Sequence, residues 1–351
     1  MEQTRPNILS AKYILPSLFL AFLALLPFII TSPAYMQIII ILLFYAYLTT
    51  SWNVVGGFAG VLPLGHAGFL GIGAYTSTLL YMTFGVSPWI GMLAGGLLSA
   101  LIGILIGLPT FKLKGAYFAL ATIALGETMR ITVGNIEEIW KFKIYANSGI
   151  QIPLAEPSFV VFQFADKGSY YYVILAMLLG ALLLTYLIYN SKTGYYLRAG
   201  GEEQEVAESL GVNVPKFKLY AMSVSAFLTA LAGTFYAQLT LYFYPRGIMS
   251  LDISFEIAFI AIVGGRGTVA GPILGALLLR PISELTRIYW GGSLPGLHLV
   301  IFGIVLVVVI ILQPRGIQPI MARIYERILE MLTPTKEKAI GGKTGVVSIN
   351  Q

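Results

Sequence analysis

Asn53-Val54-Val55-Gly56-Gly57-Phe58-Ala59-Gly60, followed by Pro63, Gly65, His66, Gly68, Gly71 and Gly73, decides how this chain is read. Glycine and proline at that density do not sustain a regular helix. Yet the residues on either side are long apolar runs with almost no charge. A second stretch has the same character: Val263-Gly264-Gly265-Arg266-Gly267-Thr268, then Gly271, Pro272 and Gly275. Each has a β-branched residue, a Gly-Gly pair and then a helix of small residues, and one falls in each half of the chain. In lipid, a backbone group without a partner costs several kcal/mol, so irregular backbone persists only inside protein or beside a water-filled cavity. Paired interruptions at corresponding positions point to a solute path. Asn53, Gly56, Gly57, His66, Gly264 and Gly265 are therefore candidate path residues.

The composition supports a lipid environment. Of 351 residues, 57% are hydrophobic and 11% charged, against about 25% charged in soluble domains. A spanning helix needs roughly 20 apolar residues. Candidates lie near 14–30, 36–56, 64–83, 88–108, 115–133, 170–189, 219–242, 252–263, 268–288 and 296–313. Lysine and arginine test this count, because they favour the cytoplasmic side. With the N-terminus inside, fifteen fall in cytoplasmic segments and four outside (Lys141, Lys143, Lys167 and Arg246). Arg130, Arg280 and Arg287 lie in spans, which accounts for all 22. The expectation is an all-α, polytopic bundle of about ten spans with discontinuous helices and two related halves. Both termini are expected in the cytoplasm and the chain in the plasma (inner) membrane. Residues 1–316 form the membrane domain, and 317–351 an amphipathic helix with a flexible tail.

The spans carry their own packing device. Gly91, Gly95, Ser99, Gly103 and Gly107 recur every four residues, as do Ala221, Ser225, Thr229, Gly233 and Ala237. Small residues let helix backbones approach closely in lipid, where no hydrophobic force drives association. Charges in the bilayer are costly and point to function. Glu127 and Arg130 share a helix face and can pair. Glu256 can face the interior and is a further path candidate. No chain of carboxylates suits a proton relay, which argues against an ion-driven pump.

Several chemistries are absent. There is no cysteine, so disulfides, thiolate zinc sites and cysteine nucleophiles are excluded. The only two histidines, His66 and His298, make a histidine-rich metal site improbable, and no metal is expected. Gly341-Gly342-Lys343-Thr344 resembles the end of a phosphate loop, but its spacing requires glycine where Glu337 stands. The basic excess of +6 sits in loops beside apolar runs, so no nucleic-acid partner is expected. No catalytic constellation appears, and the chain reads as no enzyme.

The longest cytoplasmic loop, 190–218, contains Arg198 and then Glu202 to Leu210, read as one short helix. Glu202, Glu205 and Glu208 are acidic, the first two near the N-terminus where the dipole favours them. Val206 and Leu210 form an apolar stripe beside Ala207, and Gly211 is a stop. Such a helix suits docking into a groove on another protein.

The stretch Gly60–Tyr75 resembles the signature of branched-chain amino acid ABC transporter permeases, in the subunit carrying Leu-Gly-His-Ala-x-Phe-x-Gly-Ile-Gly-Ala-Tyr. Pro63 stands where that family has serine. Leu113–Ala119, Glu205–Val212 and Gly264–Pro272 match further stretches in order, so the resemblance covers roughly 50–315. It implies a heterodimer with a second, homologous permease subunit, two cytoplasmic ATPase subunits and an extracytoplasmic binding protein. It also implies that 202–210 couples to an ATPase, although Arg198-Ala199-Gly200-Gly201 replaces the family's Arg-Ala-Ile-Arg. ATP and Mg would be used by the partners, so no cofactor is expected on this chain. The function implied is import of branched-chain amino acids by alternating access. Close relatives carry urea or short amides, and an ion-coupled carrier is the remaining alternative.

Overall fold

In the computed structural model residues 21–30, 32–139, 142–143, 148–290, 296–314 and 316–332 are described, and most of them are helical. The start of the first expected span, Trp140, Arg315 and the tail beyond 332 lie outside them. Residues 21–29 are helical. The remaining helices are α1 (Pro33–Gly56), α2 (His66–Phe84), α3 (Pro88–Thr110), α4 (Ala116–Asn135), α5 (Lys167–Asn190), α6 (Lys192–Glu202), α7 (Gln204–Ser209), α8 (Val214–Thr240), α9 (Pro245–Ile248), α10 (Leu251–Gly265), α11 (Gly271–Trp290), α12 (Leu297–Leu312) and α13 (Gln318–Leu332). Two antiparallel strand pairs occur, β1 (Glu138–Ile139) with β2 (Phe142–Lys143), and β3 (Ile150–Gln151) with β4 (Tyr242–Phe243). The described parts of Met1–Ile29 and Pro319–Gln351 form one compact unit, and Ile30–Gln318 forms another. The larger unit carries everything below.

Among the described residues, five helical segments are long and apolar enough to cross a membrane: Pro33–Gly56, Pro88–Thr110, Lys167–Asn190, Val214–Thr240 and Pro245–Gly265. Helices also occupy the expected spans at 64–83, 115–133, 268–288 and 296–313, but these fall below that standard. Of these, α4 and α11 carry ion pairs, Glu127–Arg130 and Arg280–Glu284, and α12 is only 16 residues long. The glycine-rich stretches interrupt no single span. The first lies between α1 and α2 and the second between α10 and α11, so the discontinuity falls at helix ends.

The centre of the unit is α1. Every residue from Leu43 to Gly56 is buried, and the helix touches α5, α8, α10 and α11. A helix that is apolar on every side belongs inside a bundle. Its few hydroxyls are turned inward on the backbone, as with Thr50 Oγ1 to Ala46 O and Ser51 Oγ to Tyr47 O. Around it, α2, α3 and α8 form a three-helix layer. Both small-residue stripes lie buried in that layer. A methyl group on Gly91 would meet Ser77, one on Gly95 would meet Gly73, and one on Gly103 would meet Ala226. The opposite face of α3 is the reverse: Ile90, Leu93, Leu97, Leu101, Leu105 and Leu108 are all exposed. Such a face suits lipid.

Gly73 has one of the tightest places in the layer, because a methyl group on it would strike the Ala230 backbone. Gly73→Val is expected to force α2 off α8 and to cost about 1–3 kcal/mol by overpacking. It should appear as a lowered melting temperature in detergent. Gly180→Val, on a position with open space around it, should leave that temperature unchanged.

Candidate functional site

The two glycine-rich connections meet. Asn53, in the last turn of α1, is fully buried. Its amide donates to Thr268 O at 2.8 Å and accepts from Gly267 N–H at 2.9 Å. One side chain thus saturates a donor and an acceptor of the other connection, groups that no helix serves there. Its own carbonyl accepts from Gly57 N and Phe58 N. Gly57 must lack a side chain because a methyl group there would strike the Asn53 amide and Gly267 N. Gly56 lies against the Trp52 ring, Gly264 against the Gly271 backbone, and Gly271 against Gly265 O. These glycines therefore serve close backbone approach. Gly267, at φ +78°, also needs the left-handed region that glycine occupies freely.

The freed backbone at the start of α2 is likewise served by neighbours. Leu64 N–H donates to Thr122 Oγ1 (3.0 Å) and Ala67 N–H to Ser254 Oγ (3.0 Å), while Trp52 Nε1 donates to Pro63 O (2.8 Å). This satisfies the rule that irregular backbone in a membrane domain must find partners in protein. His66 is held in the same way. Its Nε2 lies 2.7 Å from Ser225 Oγ, which itself donates to Ser51 O at 2.8 Å. The hydroxyl proton is committed to Ser51, so His66 Nε2 carries the proton and donates. Its ring packs edge-on against Trp52 and Phe69, beside a void of about 10 Å³.

Glu256 has a different setting. On α10, it faces Arg280 of α11, with Arg280 Nη1 3.2 Å from Glu256 Oε2. Arg280 Nη2 stands 3.7 Å from Glu284 Oε2, and the guanidinium lies 3.7 Å above the Tyr45 ring. Glu127 and Arg130 pair with each other on α4, as their spacing predicts. Of the seven path candidates, Glu256 lines a cavity of ligand size, about 370 Å³. The other six are held in contacts among helices. Reading by motif missed Arg280 and Glu284, although their spacing of four on an apolar helix is itself a signal.

The segment expected to dock differs in form. Glu203 is extended, at φ −140° and ψ 98°, so the single helix expected over 202–210 is split between α6 and α7. Gly211 takes φ +86°, and Val212 N returns to Ala207 O, a left-handed helix stop as expected. Val206 and Leu210 are exposed while Ala207 is buried. Arg198 folds back on its own helix pair: its guanidinium lies 3.9 Å over the Tyr189 ring and donates to Tyr189 O. Glu205 pairs with Lys114 at 2.7 Å. That hydrogen bond, and then the opposite charge, hold Glu205 below and Lys114 above their ordinary ranges. Both are well exposed, so the pair adds little stability. Deeper in, Lys218 donates to Gln204 at 2.8 Å.

The base of this segment sits on the first connection. A methyl group on Gly201 would meet Phe58 O, Ala59 C and Gly60 N at 2.9–3.1 Å, and one on Gly60 would meet Gly201 O. Gly201 therefore has a structural reason to be glycine where an arginine is usual. The contacts run without a gap from α6 through Gly201 and Gly60 to the connection that Asn53 ties to Gly267 and Thr268.

A helical membrane bundle whose irregular backbone is gathered in one place is the frame of a transport protein. Residues 34–310 match the family described as branched-chain amino acid transport system, permease component. The chain belongs to this family and is a multi-pass membrane protein, a permease subunit of an ABC transport system. It is 29% identical over 350 residues to the high-affinity branched-chain amino acid transport system permease protein LivM of Escherichia coli, covering 89% of this chain and 79% of that protein. It is 31% identical over 300 residues to LivM of Salmonella typhimurium, covering 78% and 68%. It is 25% identical over 271 residues to the probable branched-chain amino acid transport permease protein LivH of Methanocaldococcus jannaschii, covering 74% and 83%. No solved structure matches the chain.

Loss of the Asn53 amide would orphan both Gly267 N–H and Thr268 C=O, each at about 1–3 kcal/mol. Asn53→Leu is expected to destabilise the protein by about 2–4 kcal/mol and to loosen the second connection. The cysteine-free sequence gives a clean readout: a single cysteine placed at Val269 should react faster with maleimide in the Asn53→Leu background.

Proposed function

We propose that this chain is the membrane subunit of an ATP-driven importer of branched-chain amino acids. In this reading it pairs with a second, homologous permease subunit, docks two cytoplasmic ATPase subunits and receives solute from an extracytoplasmic binding protein. It has ten spans in two related halves, each contributing one glycine-rich connection. Both termini and the α6–α7 segment are cytoplasmic. Residues 1–316 form the membrane domain, and 317–351 are cytoplasmic.

The observation that carries this reading is the contact of Gly201 with Gly60. Exposed Val206 and Leu210 offer an apolar face to an ATPase groove. A displacement of α7 reaches α6 through the single extended residue Glu203. From there Gly201 bears on Gly60 with no side chain between the backbones to absorb the movement. The first connection moves, and Asn53 passes the displacement to the second. Solute is then exposed to one side or the other as α10 and α11 shift against α1. Asn53, Gly56, Gly57, His66, Gly264 and Gly265 act as the frame of the path, and Glu256 faces it. Arg198 sets the angle between α5 and α6, while Glu202, Glu205, Ala207, Glu208 and Gly211 shape the docking helix. ATP and Mg are used by the partners.

Deletion of residues 202–210 is expected to abolish uptake and substrate-stimulated ATP hydrolysis in the reconstituted complex while the chain still inserts. Normal uptake by that deletion would refute the coupling role. A narrower test is Gly201→Val, which should wedge α6 away from Gly60. Uptake should then fall by about tenfold or more, the scale of one lost close contact worth about 1.4 kcal/mol, with the ATPase subunits still bound on co-purification.

A further inference from the structure

The segment between α4 and α5 contains a hairpin whose turn is built from the wrong residues for water. Ser158 and Gln163 pair as an antiparallel bridge, and Phe159-Val160-Val161-Phe162 closes it. Turns that face water draw on Gly, Pro, Asn, Asp and Ser, and this one has none of them. Phe162 takes φ +58°, a backbone conformation in which a bulky residue is an outlier, and it is fully buried. Phe159 and Val160 are instead 66% and 64% exposed. Two exposed apolar side chains alone mean little, and it is their setting that gives them meaning.

The hairpin is tied to the start of α3. Trp89 Nε1 donates to Phe159 O (2.7 Å) and Ser87 Oγ to Val160 O (2.5 Å). The Trp89 ring stacks on Phe159 and on Phe162, with centroids 4.9 and 4.1 Å apart. The outward face of α3 begins one residue beyond Trp89, at Ile90, and continues through Leu93, Leu97, Leu101 and Leu105. The exposed tip therefore stands at the end of a lipid-facing stripe. Its backbone is also satisfied from within. Phe159 O and Val160 O take the two bonds above, Phe162 N–H donates to Phe159 O (3.2 Å), and Val160 N–H donates to Ser158 Oγ (3.3 Å). Water would serve these groups in a loop that faced it. Lipid offers no such partner, so a segment that enters it must bring its own.

We propose that this turn is a membrane anchor: Phe159 and Val160 lie among lipid acyl chains at the edge of the bilayer core, beside the start of α3. Trp89 stands at the polar boundary, where tryptophan is enriched. The occupant of this surface is lipid and not a partner protein, because the tip prolongs the stripe of α3 and its bonded backbone groups are spent inside the chain. The same segment carries β3, which pairs with β4 beyond the end of α8, and Ile152 N–H donates to Leu241 O at 2.8 Å. The anchor thus fixes the level of that end of α8 in the bilayer. It requires only a membrane protein and does not depend on which solute is carried.

The test uses the complete transporter in phosphatidylcholine vesicles, without the extracytoplasmic binding protein. A lipid-soluble diazirine that yields a carbene on photolysis should label the wild-type peptide containing Phe159 and Val160, together with the outward stripe of α3. This readout needs no variant to fold. Label on the stripe without label on the turn would overturn the anchor. The chain lacks cysteine, so a nitroxide can be placed through Val160→Cys and, as a lipid-facing standard, through Leu97→Cys. At both positions collisions with a water-soluble nickel complex should be about tenfold or more rarer than for the free label in buffer, because a polar reagent is excluded from an apolar phase. Collisions with oxygen should persist. A label at Val160→Cys that meets the nickel complex as freely as in buffer, while Leu97→Cys is shielded, would overturn the anchor. Shielding of Val160→Cys that arises only when binding protein is added would also overturn it and assign the turn to that protein.

Discussion

The carboxamide of Asn53 is the constraint on which the membrane unit depends. Two lengths of backbone have left their helices in a region where water is scarce. Each must find donors and acceptors in protein. Asparagine solves this because it presents one donor and one acceptor from a single planar group. It engages Gly267 N–H and Thr268 C=O together, which fixes the separation and the angle of the two connections. Glycine at 57 is then required because a side chain would strike Asn53 and Gly267 N, and glycine at 267 because its φ is +78°.

Around that tie the bundle is assembled by close approach. Gly73, Gly91, Gly95, Gly103 and Gly233 bring α2, α3 and α8 together, and hydroxyls such as Thr234 to Gly73 O at 3.2 Å add bonds across the seams. Polar side chains that would be orphaned in lipid serve instead as local backbone partners, as Ser254, Thr122 and Ser225 do. The outward faces of α3 and α12 are left to large aliphatic residues. The interior is thus chosen for fit and satisfied polarity, and the exterior for lipid.

Much of this was legible in the sequence. The apolar runs marked the helices closely, and the period-four small residues marked the faces that pack. Gly211 marked a helix stop, and the spacing of Glu127 and Arg130 marked their pairing. The two glycine-rich stretches stood out as breaks between apolar runs. What the sequence did not reveal was that they touch. Asn53 and Gly267 are 214 residues apart, and no local pattern reports a contact of that range. For the same reason no local pattern showed that Gly57 and Gly264 lie against backbone from Gly267 and Gly271. The split at Glu203 was hidden because Glu202, Gln204 and Glu205 beside it favour helix. Arg280 was only placed in a span and Glu284 not singled out, since their setting depends on Glu256 and Tyr45 arriving from other helices.

The contact of α2 with α8 has a mechanical consequence. Gly73 lies on the Ala230 backbone, and Gly233 lies on Leu70 O. To slide past each other, the two helices would have to lift peptide units over peptide units, with no flexible side chain to bend out of the way. A pair meshed like this resists shear and travels as one piece, a stator against which other parts turn. Any working stroke must then be taken up where side chains and ion pairs, not bare backbones, make the joint. On the border of α11 with α1 the Arg280 guanidinium resting on the flat Tyr45 ring is one joint of that kind.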